Sequence, residues 1–201
     1  MRLFVAILPP PEALDELAEA AAPLRQAAPE LRWSGRPQWH LTLAFLGDVN
    51  ERVLADLTAR LERAAARHSV QNLAFAGGGA FPSPRRARVL WAGVRADHKA
   101  LSALAASVSA GARRAGAPPP DEGRKYHPHL TLAHCRQPAD VSALVASLAD
   151  FAGAGWSAPS VALMRSRLGS GPPQHEEMAS WPLRHRSGTD QATPGTGPGR
   201  Q

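Results

Sequence analysis

The pentapeptide His-Leu-Thr-Leu-Ala occurs twice in this 201-residue chain, at positions 40–44 and 129–133. A five-residue identity of ordinary complexity is improbable by chance. A separation of 89 residues suits two similar lobes better than a stacked solenoid. Each copy reads as a strand, in which residues i and i+2 share a face. His40 and Thr42 therefore project together, as do His129 and Thr131, while Leu41 and Leu43 turn to the opposite layer. Polar side chains at alternate positions of an apolar strand must find partners or line a cleft. Two such strands about a pseudo-twofold axis would set two imidazoles and two hydroxyls around one cavity.

The surrounding pattern is compatible with that arrangement. Further strands are expected near residues 3–8, 31–33, 71–81, 87–94, 155–167 and 175–182, with the repeats themselves in strands at 40–46 and 129–135. Helices are expected near 12–26, 51–66, 97–114 and 139–149. In the first helix Leu14, Leu17, Ala18, Ala21 and Leu24 follow the 3.6-residue period, after Pro11 in its first turn. Asp97 is a ready N-cap for the third. Pro82-Ser83-Pro84 makes a stiff turn, and Gly116 with Pro118-Pro119-Pro120 breaks the third helix. Each repeat is followed by a helix. No GxGxxG, Walker sequence or CxxC pair is present. Irregular alternation with strand pairs indicates an α+β fold rather than a doubly wound sheet. Residues 1–185 are expected to form a single bilobal domain, and 186–201, without apolar period, a disordered C-terminal tail.

Composition narrows the setting. The six apolar residues after Arg2 are too few for a signal peptide or membrane span. The single cysteine, Cys135, cannot form an internal disulfide, in keeping with a reducing cytoplasm. The formal charge of +6 favours phosphate-bearing partners, although three arginines and one aspartate in residues 184–201 place +2 of it in the tail.

A paired His-x-Thr set suits phosphodiester cleavage. One imidazole, neutral, takes a proton from water, and the other, protonated, donates one to the leaving sugar oxygen. Each threonine hydroxyl can donate to a non-bridging phosphate oxygen, where charge builds in the transition state. No metal or other cofactor is required. One His-x-Thr strand would more often hold an ordinary core histidine. Two identical copies at corresponding places reverse those odds.

The chain resembles the 2H phosphoesterase superfamily, specifically the RNA 2′,3′-cyclic phosphodiesterases formerly called 2′-5′ RNA ligases. The resemblance rests on the opening Arg2-Leu3-Phe4-Val5-Ala6-Ile7, on Trp39 to Gly47 and on Arg88-Val89-Leu90-Trp91-Ala92-Gly93-Val94. It also rests on His127 to Ala133 and on Trp181-Pro182-Leu183. It implies two pseudo-symmetric lobes of antiparallel sheet, with outer helices, around a central cleft. It further implies hydrolysis of a 2′,3′-cyclic phosphate at an RNA end to a 2′-phosphomonoester, with His40 as proton donor and His129 as acceptor. Reverse 2′-5′ ligation is secondary. Alternatives are a phosphodiesterase on small cyclic nucleotides or cyclic ADP-ribose phosphate, or a non-catalytic RNA-binding protein. Two departures stand out. His134 occupies the place where the family commonly has Arg, five residues after the second histidine; Arg136 or the cluster Arg85, Arg86 and Arg88 are candidates to compensate. Gly171-Pro172-Pro173-Gln174-His175 stands where the family tends to carry Gly-Pro-x-Tyr.

Other residues carry two readings. Trp33 and Trp39 can stack on a base or fill the lobe interface. Lys125 and Tyr126, beside the second motif, are candidate substrate contacts. Arg85, Arg86 and Arg88 can form a basic rim or a solvated strand edge. His127, His129 and His134 cluster, but Pro128 and the lack of a neighbouring acidic ligand argue against a closed zinc site. Cys135 is read as structural and turned away from His129. A monomer in the cytoplasm is expected.

Overall fold

The computed structural model describes residues 1–117, 125–167, 169 and 171–185; the expected tail at 186–201 and the prolines at 118–120 lie outside the described residues. The chain runs through β1 (Arg2–Ile7), α1 (Pro11–Ala27), β2 (Arg32–Trp33), β3 (Leu41–Asp48), α2 (Leu54–Ala65), β4 (Gln71–Phe81) and β5 (Ala87–Ala96). It continues through α3 (His98–Arg114), β6 (His129–Ala139), α4 (Ser142–Ser147), β7 (Trp156–Ala158), β8 (Ser160–Arg167) and β9 (Gln174–Pro182).

Two antiparallel sheets result. The first has the order β3-β1-β8-β9 and the second β2-β6-β5-β4-β7. Setting β2 aside, β6-β5-β4-β7 repeats the first order, with each His-x-Thr strand at the corresponding place beside β1 or β5. The α+β, two-lobed expectation is therefore met. Two expectations are corrected. Residues 155–167 are two strands in different sheets, because β7 pairs with β4 whereas β8 pairs with β1 and β9. Pro159 lies between them and has no N–H to continue a ladder. The last helix is also shorter than expected, since β6 extends to Ala139.

β1 is apolar at nearly every position because both its faces are covered. Leu3, Val5 and Ile7 enter the main core with Leu17, Leu41 and Leu163. Phe4 and Ala6 form a second cluster with Ala162 and Met164 on the other face. The main core joins both lobes through the helices. α1 buries Ala13, Leu17, Ala21 and Leu24 and packs on β4, and its Glu16 carboxylate accepts from Ala154 N at 2.8 Å. α3, capped by Asp97 accepting from Lys99 N and Ala100 N, packs on α2 and β3. At about 1.5–3 kcal/mol per fully buried large apolar side chain, these stripes hold the lobes together.

A bulge follows the threonine of each repeat. Ala6 pairs with Thr42 and Val5 with Ala44, so Leu43 has no partner. Trp91 pairs with Thr131 and Leu90 with Ala133, so Leu132 has none. The extra residue resets the alternation in both strands. Phe45 and His134 thereby rejoin the face of the histidines, while Cys135 enters the core. Cys135 is turned away, as expected, but through the bulge. In a regular strand a residue six positions after His129 would share its face.

Candidate active site

Both repeats line one cleft of about 900 Å³ between the sheets, with His40, Thr42, His129 and Thr131 on its walls. Each imidazole is held in the same way. His40 Nδ1 lies 2.7 Å from the Gln38 carbonyl oxygen, and His129 Nδ1 lies 2.7 Å from that of His127. A carbonyl only accepts, so Nδ1 carries the hydrogen in both rings and Nε2 is left for chemistry. The carbonyls come from the segments entering the strands, a 3₁₀ turn over Arg36–Gln38 before β3 and irregular chain before β6.

Aromatic rings fix the planes. Phe4 lies 4.5 Å from the His40 ring, and Phe81 4.9 Å from the His129 ring, centroid to centroid. Trp91 extends the second wall, 4.8 Å from His127 and 6.1 Å from His129. Burial is the main cause that lowers the His40 pKa to about 4, helped by the field of His175 and opposed by the Gln38 carbonyl. Burial also lowers His129, again opposed by its backbone partner. Burial thus holds both imidazoles neutral near pH 7, and a negative charge between them would favour protonation.

A family profile for the 2′-5′ RNA ligase superfamily matches residues 9–170. The chain belongs to this superfamily. It is similar to the RNA 2′,3′-cyclic phosphodiesterase of Thermus thermophilus, 31% identical over 207 residues, covering all of this chain and 98% of that protein. It is 33% identical over 131 residues to the RNA 2′,3′-cyclic phosphodiesterase of Aeropyrum pernix, over 65% of this chain and 68% of that one. The crystal structure of the Thermus thermophilus protein TT0787 superposes with a TM-score of 0.77 at 29% identity, covering 92% of this chain and 99% of that one. The resemblance drawn from the two His-x-Thr strands is borne out.

Within this superfamily fold the other sequence candidates separate. His134 reaches the cleft wall; Arg136, two residues on, does not line it. Arg85 and Arg86 sit in a 3₁₀ turn away from it. Trp39 is 4% exposed and belongs to the core, whereas Trp33 lines the cleft. The Trp33 indole N–H donates to Ala28 O at 2.8 Å, and the Arg25 guanidinium lies over its ring. Lys125, Tyr126, His127 and Arg88 line a second groove, of about 1170 Å³, which meets the first at Thr42, Phe45 and His129. The Tyr126 hydroxyl donates to Thr42 O at 3.2 Å, and burial pushes its pKa well above the usual range. No cluster of three His, Cys, Asp or Glu able to hold a metal ion occurs among the described residues.

Sequence reasoning missed His175. Its ring lies 5.1 Å from both Phe4 and His40, edge-on to each. A signal was available: the expected aromatic position falls on Gln174, and His175 is one residue further. Arg2, Arg32, Phe45 and Gln38 also line the cleft and carried no local signal.

Proposed function

We propose that this protein hydrolyses RNA 2′,3′-cyclic phosphodiester ends to 2′-phosphomonoesters by metal-independent acid–base catalysis. The observation carrying this reading is the matched pair of imidazoles, each locked through Nδ1 to a backbone carbonyl and each beside its threonine in one cleft. The likeness to the RNA 2′,3′-cyclic phosphodiesterases of Thermus thermophilus and Aeropyrum pernix supports the substrate.

In this mechanism His129 Nε2 takes a proton from water as its oxygen attacks phosphorus. The bond from phosphorus to the 3′ oxygen breaks, and His40 Nε2 donates its proton to that oxygen, leaving the phosphate on the 2′ oxygen. Thr42 and Thr131 hydroxyls donate to the non-bridging oxygens as their charge grows. The donor and acceptor assignments follow the resemblance. As donor, His40 must be charged before attack, and the bound phosphate supplies the field that raises it from about 4. Ligation of a 2′-phosphate end to a hydroxyl is the reverse step, outcompeted by water. The working unit is residues 1–185, as a monomer in the cytoplasm. No described helix is long and apolar enough to cross a membrane.

The test is incubation with chelator and a short RNA ending in a 2′,3′-cyclic phosphate, beside 2′,3′-cyclic mononucleotides. Conversion of the RNA end to a 2′-phosphate is expected. No turnover of either substrate would overturn the assignment, and turnover of mononucleotides alone would move it to small cyclic nucleotides.

A further inference from the structure

The cleft has an electrostatic problem: it must attract a polyanion while burial holds both of its paired histidines toward neutrality. Among the described residues, permanent positive charge on its walls comes from Arg2 and Arg32. They are not equivalent. Their cross-strand partners differ: Asp48 stands opposite Arg2 in the register, whereas His134 stands opposite Arg32, across the strand that carries Thr131. Among the described residues Arg32 has no carboxylate within ion-pair distance, while Arg36, Arg60, Arg165 and Arg167 each have one. His134 is itself lowered by burial and by the neighbouring Arg32, so this pair carries one fixed charge rather than two.

The backbone under Arg32 is held firmly for a two-residue strand. Trp33 is tied to Ala28, and Ser34 N donates at 2.8 Å to the carbonyl of Leu132, the bulge residue of β6. The bulge brings His134 to the same face as Thr131, one same-face step along the strand, or roughly 7 Å. Arg32 lies directly across from that point and lines the cleft. A guanidinium there is displaced from the threonines by about one nucleotide along the strand, where the phosphate preceding the terminal nucleotide would lie.

We propose that Arg32 binds the phosphodiester immediately upstream of the cyclic end, and so makes the site select an RNA terminus over a cyclic mononucleotide. This rests on the phosphodiesterase reading above and adds to it a polymer-specific subsite built across the β2–β6 pairing. The guanidinium donates to the non-bridging oxygens of that phosphate, a charge-assisted contact that releases counterions from the strand.

The experiment compares the full-length protein with Arg32→Ala, and with Arg32→Gln, which keeps most of the aliphatic stem. The two substrates are a short oligoribonucleotide ending in a 2′,3′-cyclic phosphate and a 2′,3′-cyclic mononucleotide without a 5′ phosphate. For the oligonucleotide, KM should rise at least about tenfold in both variants with kcat nearly unchanged. The slope of log KM against log salt should fall by about 0.7, one phosphate contact on a single strand. Mononucleotide turnover should stay at the wild-type level, which also reports an intact fold. Equal losses on both substrates would place Arg32 on the cyclic phosphate and overturn the inference, as would an unchanged oligonucleotide KM or salt slope. Failure of the wild-type protein to turn over either substrate would instead remove the phosphodiesterase reading itself.

Discussion

Gly79→Ala is a sharp test of how the second wall of the cleft is held. Gly79 pairs with Trp91, and Trp91 pairs in turn with Thr131, so the three lie in one cross-strand row. A Cβ at Gly79 would stand 2.3 and 2.4 Å from two carbons of the Trp91 ring, where ordinary contact begins at 3.4 Å. The ring must retreat by roughly 1 Å in a wall that overpacking penalises by about 1–3 kcal/mol. It has little free room, because Phe81 and His127 lie 5.3 and 4.8 Å from it, centroid to centroid, and both border His129. A displacement near 1 Å at a catalytic group costs on the order of a hundredfold in rate. The expected result is a kcat on RNA cyclic phosphate lowered by about that factor, with a melting temperature lower by roughly 2–12 °C. Gly155→Ala, where a Cβ meets nothing within 4 Å, is the control. Trp91→Leu in the Gly79→Ala background should recover part of the stability, since the two changes share one contact. Wild-type kcat with a depressed melting temperature would refute the coupling of Trp91 to His129. Wild-type values of both would refute the packing argument altogether.

Other consequences follow from the site. His40→Ala and His129→Ala should each lower kcat by about two to three orders of magnitude, and full activity in either would remove that residue from the mechanism. Because the His40 pKa falls from 6.5 to about 4 on folding, the unfolded chain binds the extra proton between those values. Its contribution to stability is therefore complete above pH 6.5 and is lost as pH falls toward 4. The melting temperature of the wild type should fall relative to that of His40→Gln as pH drops across that window, and parallel curves would contradict the burial argument. His175→Ala removes both a positive neighbour and part of the cover over His40, so the His40 pKa should rise; an NMR titration showing no rise would refute the coupling.

What the sequence could and could not disclose divides along the range of the interaction. α1 and the Asp97 cap were legible because an apolar helical period and a capping side chain act over a few residues. The pairing of His40 with His129 was legible only because the chain states it twice. Strand parity carried the argument correctly from histidine through threonine to Leu43 and Leu132 and then failed at Ala44 and Ala133, which stay in the core, since a bulge is a property of the paired strands. The single strand expected at 155–167 runs through Pro159, because the effect of that residue, passing the chain from one sheet to the other, depends on which strands stand ready to receive it. Arg32 and His175 reach the cleft through partners more than 100 residues away in sequence, His134 and His40. No local pattern announces such contacts.

The crossed helices have a consequence for how the site can be lost. α1 leaves a strand of the first sheet and covers β4 of the second, while α3 leaves β5 of the second and covers β3 of the first. A chain severed between α2 and β4 would yield fragments that each carry a helix shaped for the other's sheet, and one of the two His-x-Thr motifs apiece. Neither could settle into a miniature lobe, and only their reassociation would restore the cleft. The two halves are duplicated in pattern yet mutually dependent, so partial unfolding should silence the whole site rather than leave half of it standing.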